Sequence, residues 1–120
     1  MEPQFFESFR KMALSLPGVA ESVSYGTPSF KLKDKLLARF HEDEASLVLK
    51  MDFETRDFLL RVNPETYYIT DHYKNYPYVL VRMRNADLKE LNGHLQRIWK
   101  SHATKKLLQT FEERQGNDGD

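Results

Sequence analysis

Between Tyr67 and Met83 the chain reads YYITDHYKNYPYVLVRM, a stretch holding five of the six tyrosines, together with His72, Lys74 and Arg82. Tyrosine rings can stack on planar groups, and nearby lysines and arginines can neutralise phosphates. Lys31, Lys33, Arg39 and Lys50 supply further cations on segments that read as strands. Together these types define a candidate nucleic-acid surface. Lys31, Lys33, Arg39, Lys50, Lys74 and Arg82 take phosphates, Tyr73 or Tyr76 stacks or wedges, and His72 stands beside them. The plainer account has the tyrosines packing across strands and against Trp99, over a solvated basic sheet face.

Other chemistries find less support. No G-x-x-x-x-G-K-[ST], H-E-x-x-H or G-x-S-x-G occurs, and Gly26 stands without the neighbours a phosphate-cradling loop needs. His94 and His102 are eight residues apart on one helical segment, about 12 Å along its axis, too far to share a metal. No metal ligands or cofactor are assigned. Asp71 reads as a turn residue beside His72. A Ser24 or Ser29 partnership with His72 would require a triad that only geometry can define. With no cysteine, the chain has no disulfide, thiol nucleophile or Cys-ligated zinc.

Eighteen basic and eighteen acidic residues cancel, which disfavours non-specific binding to a polyanion but allows a local patch. Two segments are locally basic. Residues 22–41 carry four bases against one acid, and residues 72–84 carry Lys74, Arg82 and Arg84 with no acid. The balancing acids include Glu42-Asp43-Glu44 and Asp52, Glu54 and Asp57. A chain of 120 residues fits one domain. We expect it to span residues 1–115, with a disordered tail at 116–120. No apolar run suits a membrane span, and the charged N-terminal segment does not read as an export signal. The expectation is therefore a cytoplasmic, non-membrane protein, with a monomer favoured.

Positioning the aromatic stretch requires a scaffold. Phe5, Phe6, Phe9, Met12, Ala13 and Leu16 recur with helical spacing over residues 3–16, ended by Pro17-Gly18. Four short strands follow, at 22–25, 29–33, 35–41 and 46–51. Strict alternation in the third would set Leu36, Ala38 and Phe40 against Leu37, Arg39 and His41. Asp52 caps a helix over 53–62. Strands at 66–70 and 78–84 come next, then a helix opened by Asp87, a break near 101–104 and a last short helix. The fold class is thus α+β. It is a two-layer sandwich with a six-stranded antiparallel sheet and helices on one face, in the order α-β4-α-β2-α-α.

Several blocks carry a resemblance: Leu16-Pro17-Gly18-Val19, Tyr25-Gly26-Thr27-Pro28-Ser29-Phe30-Lys31, Lys35-Leu36-Leu37-Ala38, Leu47-Val48-Leu49-Lys50, His72-Tyr73, Pro77-Tyr78-Val79 and Trp99. In this order and spacing the chain resembles the MmcQ/YjbR family of small bacterial proteins. The resemblance implies a CyaY-like fold and DNA binding through a double-wing arrangement of hairpins, with no catalytic residues to carry over. Frataxin-like iron binding is set aside, because the first helix has Glu2 and Glu7 against Arg10 and Lys11 rather than an acidic face. The first expectation is a non-enzymatic DNA- or nucleic-acid-binding protein. The alternative is a protein- or small-ligand-binding module with an apolar pocket near Tyr25, Phe30, His72 and Tyr78.

Overall fold

The computed structural model describes residues 3–118. The elements run α1 Pro3–Ser15, β1 Val19–Ser24, β2 Thr27–Leu32, β3 Lys35–Phe40, β4 Ser46–Lys50, α2 Phe53–Val62, β5 Tyr67–Tyr68, β6 Tyr78–Arg82, α3 Leu88–His102 and α4 Lys105–Asp118. Short 3₁₀ turns at Asp71–Tyr73 and Met83–Asn85 flank β6. The six strands form one antiparallel sheet ordered β1-β2-β3-β4-β6-β5. The α+β class expected from periodicity is the one observed. Helix α4 continues into the expected tail as far as Asp118, and residues 119–120 lie outside the described residues.

Each helix buries the stripe that its spacing dictates. Phe9, Ala13 and Leu16 of the α1 region, Leu59 of α2, Leu91, Leu95 and Trp99 of α3 and Phe111 of α4 join Phe30, Phe40, Leu47, Leu49, Val79 and Val81 of the sheet in one core. Phe9 meets Phe30 and Phe40 edge-on at 5.7 and 5.9 Å, geometry that favours aromatic pairs beyond simple burial. Trp99 is fully buried, and its indole N–H is satisfied by the Pro17 carbonyl at 2.9 Å. Gly18 ends α1 with φ +81, and a Cβ there would come 3.0 Å from Leu32 Cδ1, so both backbone and space call for glycine. Asp52 caps α2 by accepting the Thr55 N–H at 2.9 Å.

One expectation about β3 is corrected. The register with β2 shifts between Phe30, opposite Ala38, and Lys31, opposite Leu36. This β-bulge makes Leu37 the extra residue, and Leu37 joins Ala38 and Phe40 in the core. Leu36 is released to the opposite face, where it lines a cleft with Arg39. Phe30 is likewise a core residue with no exposure, and it does not border the pocket expected near it.

Candidate functional site

The sheet face away from the main core is not bare. Val48, Leu80 and Tyr73 are buried there as a second small cluster, with Tyr68 and Tyr78 packed against it. The register explains the grouping, because Arg39, Val48, Leu80 and Tyr68 form one row across β3, β4, β6 and β5. The segment between β5 and β6 folds back over this row and sets Tyr73 on top of it. The Tyr73 ring packs edge-on to Tyr78 at 6.1 Å and to His72 at 4.7 Å.

Arg39 is the polar centre of this layer, with only 4% of its surface exposed. Its Nη2 donates to the Tyr73 hydroxyl at 2.7 Å, and Nη1 donates to the Phe40 carbonyl at 3.3 Å and to the Glu42 carboxylate. Burial alone would lower the guanidinium pKa, but bonds to Glu42 and Tyr73 outweigh it and raise the value, so the charge is held. The same pairing holds the Glu42 carboxyl below its usual range. Neighbouring Asp43 secures the turn by accepting the N–H groups of Ala45 and Ser46 at 2.9 and 3.0 Å.

A cleft of about 600 Å³ opens over this floor, between the β1–β2 turn and the 71–77 segment. Tyr25, His72, Tyr76 and Tyr78 form its walls, Leu36, Val48 and Thr70 its lower surfaces, and His41 and Glu42 one end. Tyr25 is 80% exposed, and the Arg39 guanidinium sits 4.8 Å from its ring centroid. Tyr25 and Gly26 both have positive φ, 55° and 77°, as a type I′ hairpin turn requires. Glycine tolerates that region freely. Tyrosine does so at a cost on the order of 1–2 kcal/mol.

The far wall is fixed from behind by Arg56 of α2. Its Nη1 donates to the carbonyls of Tyr73, Lys74 and Tyr76 at 3.2, 3.3 and 3.0 Å, and Arg56 is itself buried. A guanidinium can serve several carbonyls converging on it; those of Tyr73 and Tyr76 also accept the N–H groups of Tyr76 and Tyr78 at 3.1 and 2.8 Å, so an apolar side chain here would leave the Lys74 carbonyl unpaired. The amphipathic pattern of residues 53–62 gave no sign of this clamp.

The cleft unites Arg39, His72, Tyr73 and Tyr76 of the expected contact set with Tyr25 and Tyr78. Lys31, Lys33, Lys50, Lys74 and Arg82 do not line it. Two roles expected from the sequence are corrected. Arg39 is buried and neutralised by Glu42, so it offers no free charge to a phosphate, and Tyr73 is a packed side chain 8% exposed rather than a stacking platform. Arg82 is also engaged: it donates to the Pro64 and Glu65 carbonyls at 3.1 and 3.3 Å and covers the Tyr68 ring at 4.1 Å. The expected cations therefore do not make one continuous basic face. The serine–histidine idea fails on geometry, since the Ser24 hydroxyl donates to Ser29 at 3.1 Å and neither bonds a histidine. Glu42 and Leu36 were missed as site residues. The i, i+3 spacing of Arg39 and Glu42 was a visible signal, but nothing marked the bulge that turns Leu36.

A second hollow of about 610 Å³ lies beside Phe5, Glu44, Ser46, Tyr68, Arg82 and Met83. Its Arg82 is committed to loop carbonyls, and Ser46 and Tyr68 share a hydrogen bond of 2.7 Å. The aromatic cleft keeps more of its rings open. Among the described residues no group of three or more His, Asp or Glu side chains is arranged to hold a metal ion, and no helix is long and apolar enough to cross a membrane.

Fold and cleft together define a two-layer α+β domain with a ligand-sized aromatic hollow on the sheet face opposite its helices. The chain belongs to the YjbR family, whose model matches residues 14–101. It is 34% identical over 53 residues to uncharacterised proteins of Mycobacterium bovis and Mycobacterium tuberculosis, covering 44% of this chain and 41% of the length of those relatives. It is similar in fold to the crystal structure of a Deinococcus radiodurans protein described as a DUF419 domain. That match has a TM-score of 0.67 and 20% identity over 88% of this chain and 86% of the other.

Proposed function

We propose that this chain is a binding module, not an enzyme, and that its ligand is a small molecule with a planar group held in the aromatic cleft. One observation carries the reading: Tyr25 stands exposed over a buried guanidinium, in a backbone conformation that costs a tyrosine stability. Nothing in the packing of the hairpin needs a large ring there. The volume of about 600 Å³ falls in the range of small-molecule sites. Rings on facing walls suit a flat guest, and the Arg39–Glu42–Tyr73 group offers orienting hydrogen bonds without net charge.

A thermal-shift screen of planar metabolites tests it. Ligands that stabilise the fold should lose that effect in Tyr25→Ala, while Phe58→Ala, on the outer face of α2, should leave it intact. A screen in which no planar compound stabilises the protein, or in which stabilisation ignores Tyr25, sinks the reading.

Nucleic acid remains a second reading because Lys74, His72 and Tyr76 are all exposed on one loop, with the His72 and Tyr76 rings 6.2 Å apart. It would use those groups with Lys31 and Lys33, without Arg39. It requires binding to single- or double-stranded DNA that weakens steeply between low and physiological salt.

A further inference from the structure

Strand order places β1 and β5 at the two edges of the sheet. β5 has two residues, too few to template another strand, whereas β1 runs for six, from Val19 to Ser24. β1 carries few of the features that usually blunt an edge. It has no lysine and no proline, and its register with β2 runs without a bulge. Its one charge, Glu21, is drawn back to Arg10 of α1 at 2.6 Å. Val23 is 71% exposed, the most open large aliphatic side chain among the described residues.

The hairpin fixes which backbone groups face outward. A two-residue turn at Tyr25-Gly26 makes Ser24 and Thr27 a hydrogen-bonded pair, and bonded and unbonded pairs alternate from there. Ala20 and Ser22 therefore bond to β2, while Glu21 and Val23 turn their N–H and C=O groups away from it. Pro28 lies opposite Val23, at an unbonded pair, where its missing N–H leaves the β1–β2 ladder intact.

We infer that two copies of this chain pair antiparallel through β1, against the monomer favoured by sequence. The two-fold axis passes between Ser22 and its copy. Glu21 then lies opposite Val23 of the second copy and exchanges both backbone bonds with it, and symmetry repeats the exchange. The neighbouring register would set Glu21 against its own copy, where like charges directly opposite repel. A foreign extended peptide would draw its specificity from side-chain pockets beside the edge, and the two-fold register needs none. The pairing does not depend on what the aromatic cleft binds.

Sedimentation equilibrium of the full chain should show the average mass rising toward twice the monomer value between about 10 µM and about 1 mM, the weak range of a small interface. Over that range amide exchange at Glu21 and Val23 should slow by about tenfold, while Ala20 and Ser22, already bonded within the hairpin, should not change. Val23→Lys should hold the chain monomeric with its fold intact. Val23→Pro should do the same, since it removes only an outward N–H. Should Val23→Pro fail to fold, Val23→Lys carries the same reading. The chain has no cysteine, so Ser22→Cys tests the register. The two copies would face each other at an unbonded pair, with Cα atoms about 4.5 Å apart, and a glutathione redox buffer should join them as a disulfide far faster than it joins Glu21→Cys.

A mass that stays at the monomer value up to about 1 mM overturns the pairing. So does a dimer that survives Val23→Lys, or one in which the Glu21 and Val23 amides keep their dilute exchange rates, because another face is then responsible. Faster cross-linking through Glu21→Cys than through Ser22→Cys overturns the register. If the chain stays monomeric and an added extended peptide slows the two amides, the edge belongs to a foreign strand and self-pairing is overturned.

Discussion

Arg39 and Tyr73, 34 residues apart in sequence, meet at 2.7 Å over the centre of the sheet. This contact joins the strand layer to the segment that closes over it. The buried guanidinium is balanced on its other side by Glu42, so the three side chains act as one unit. Glu42→Gln should destabilise the fold by about 1–3 kcal/mol, because a buried charge loses its counter-ion. Urea unfolding measures this. The same variant should gain salt-sensitive DNA binding if charge alone decides affinity for polyanions, and a mobility shift at two salt concentrations checks it.

The β3 bulge makes opposite forecasts for adjacent leucines. Leu37 is 1% exposed in the main core, so Leu37→Ala should cost about 2–5 kcal/mol. Leu36, half-buried in the cleft, should cost less than about 1.5 kcal/mol on truncation and weaken ligand stabilisation. Equal losses at the two sites would mean that the register is wrong.

Tyr25→Gly should raise stability by roughly 1 kcal/mol through relief of the positive-φ penalty, offset partly by chain entropy. The added stability should come with loss of binding in the cleft. Thermal melts with and without a cleft ligand read both effects from one protein.

Arg56→Met should leave the Lys74 carbonyl unpaired, remove the second bond to the Tyr73 and Tyr76 carbonyls, and destabilise the protein by about 1–2 kcal/mol. Amide exchange should accelerate across 71–77 before it accelerates in β4 and β6. Arg56→Lys should restore only part of the protection, since an ammonium lacks the planar fork.

His94 should make the fold acid-sensitive near neutrality. It is buried beside Tyr67, whose hydroxyl donates to Glu90 at 2.5 Å and so accepts from His94 Nε2 at 3.1 Å. The other nitrogen, Nδ1, is left buried without a partner. Burial lowers the pKa despite Glu90, so the unfolded chain takes up the proton first as pH falls. The stability contribution is full above about 6.5, the unfolded value, and declines below it. His94→Leu should flatten the stability profile between pH 7 and 5 in denaturant titrations.

Much of the fold could be read from local pattern. The helix stripes, the Asp52 and Asp87 caps and the strand sequence follow from side chains three, four or two residues apart, and those spacings are fixed by geometry. All six strand ranges were off by a residue or more, among them β1, which begins at Val19, and β5, which shrinks to Tyr67–Tyr68. In both cases pairing with a neighbour sets the limits, and pairing is not local. The site was less legible for the same reason. Its aromatic residues were visible, but Arg39 looked like a free cation until Glu42 and Tyr73 closed around it. Nothing in the sequence marked Arg56, since its partners lie 17 to 20 positions away.

The two walls of the cleft have different histories along the chain. The Tyr25 wall is a tight hairpin that can form from its immediate neighbours within microseconds. The Tyr76 wall has local turns of its own, but it is also tied to α2 through Arg56 and to the sheet where β6 pairs with β4. The hollow between them therefore depends on contacts from distant parts of the chain, and comparing amide exchange across 71–77 with that of β4 and β6 measures how readily it opens.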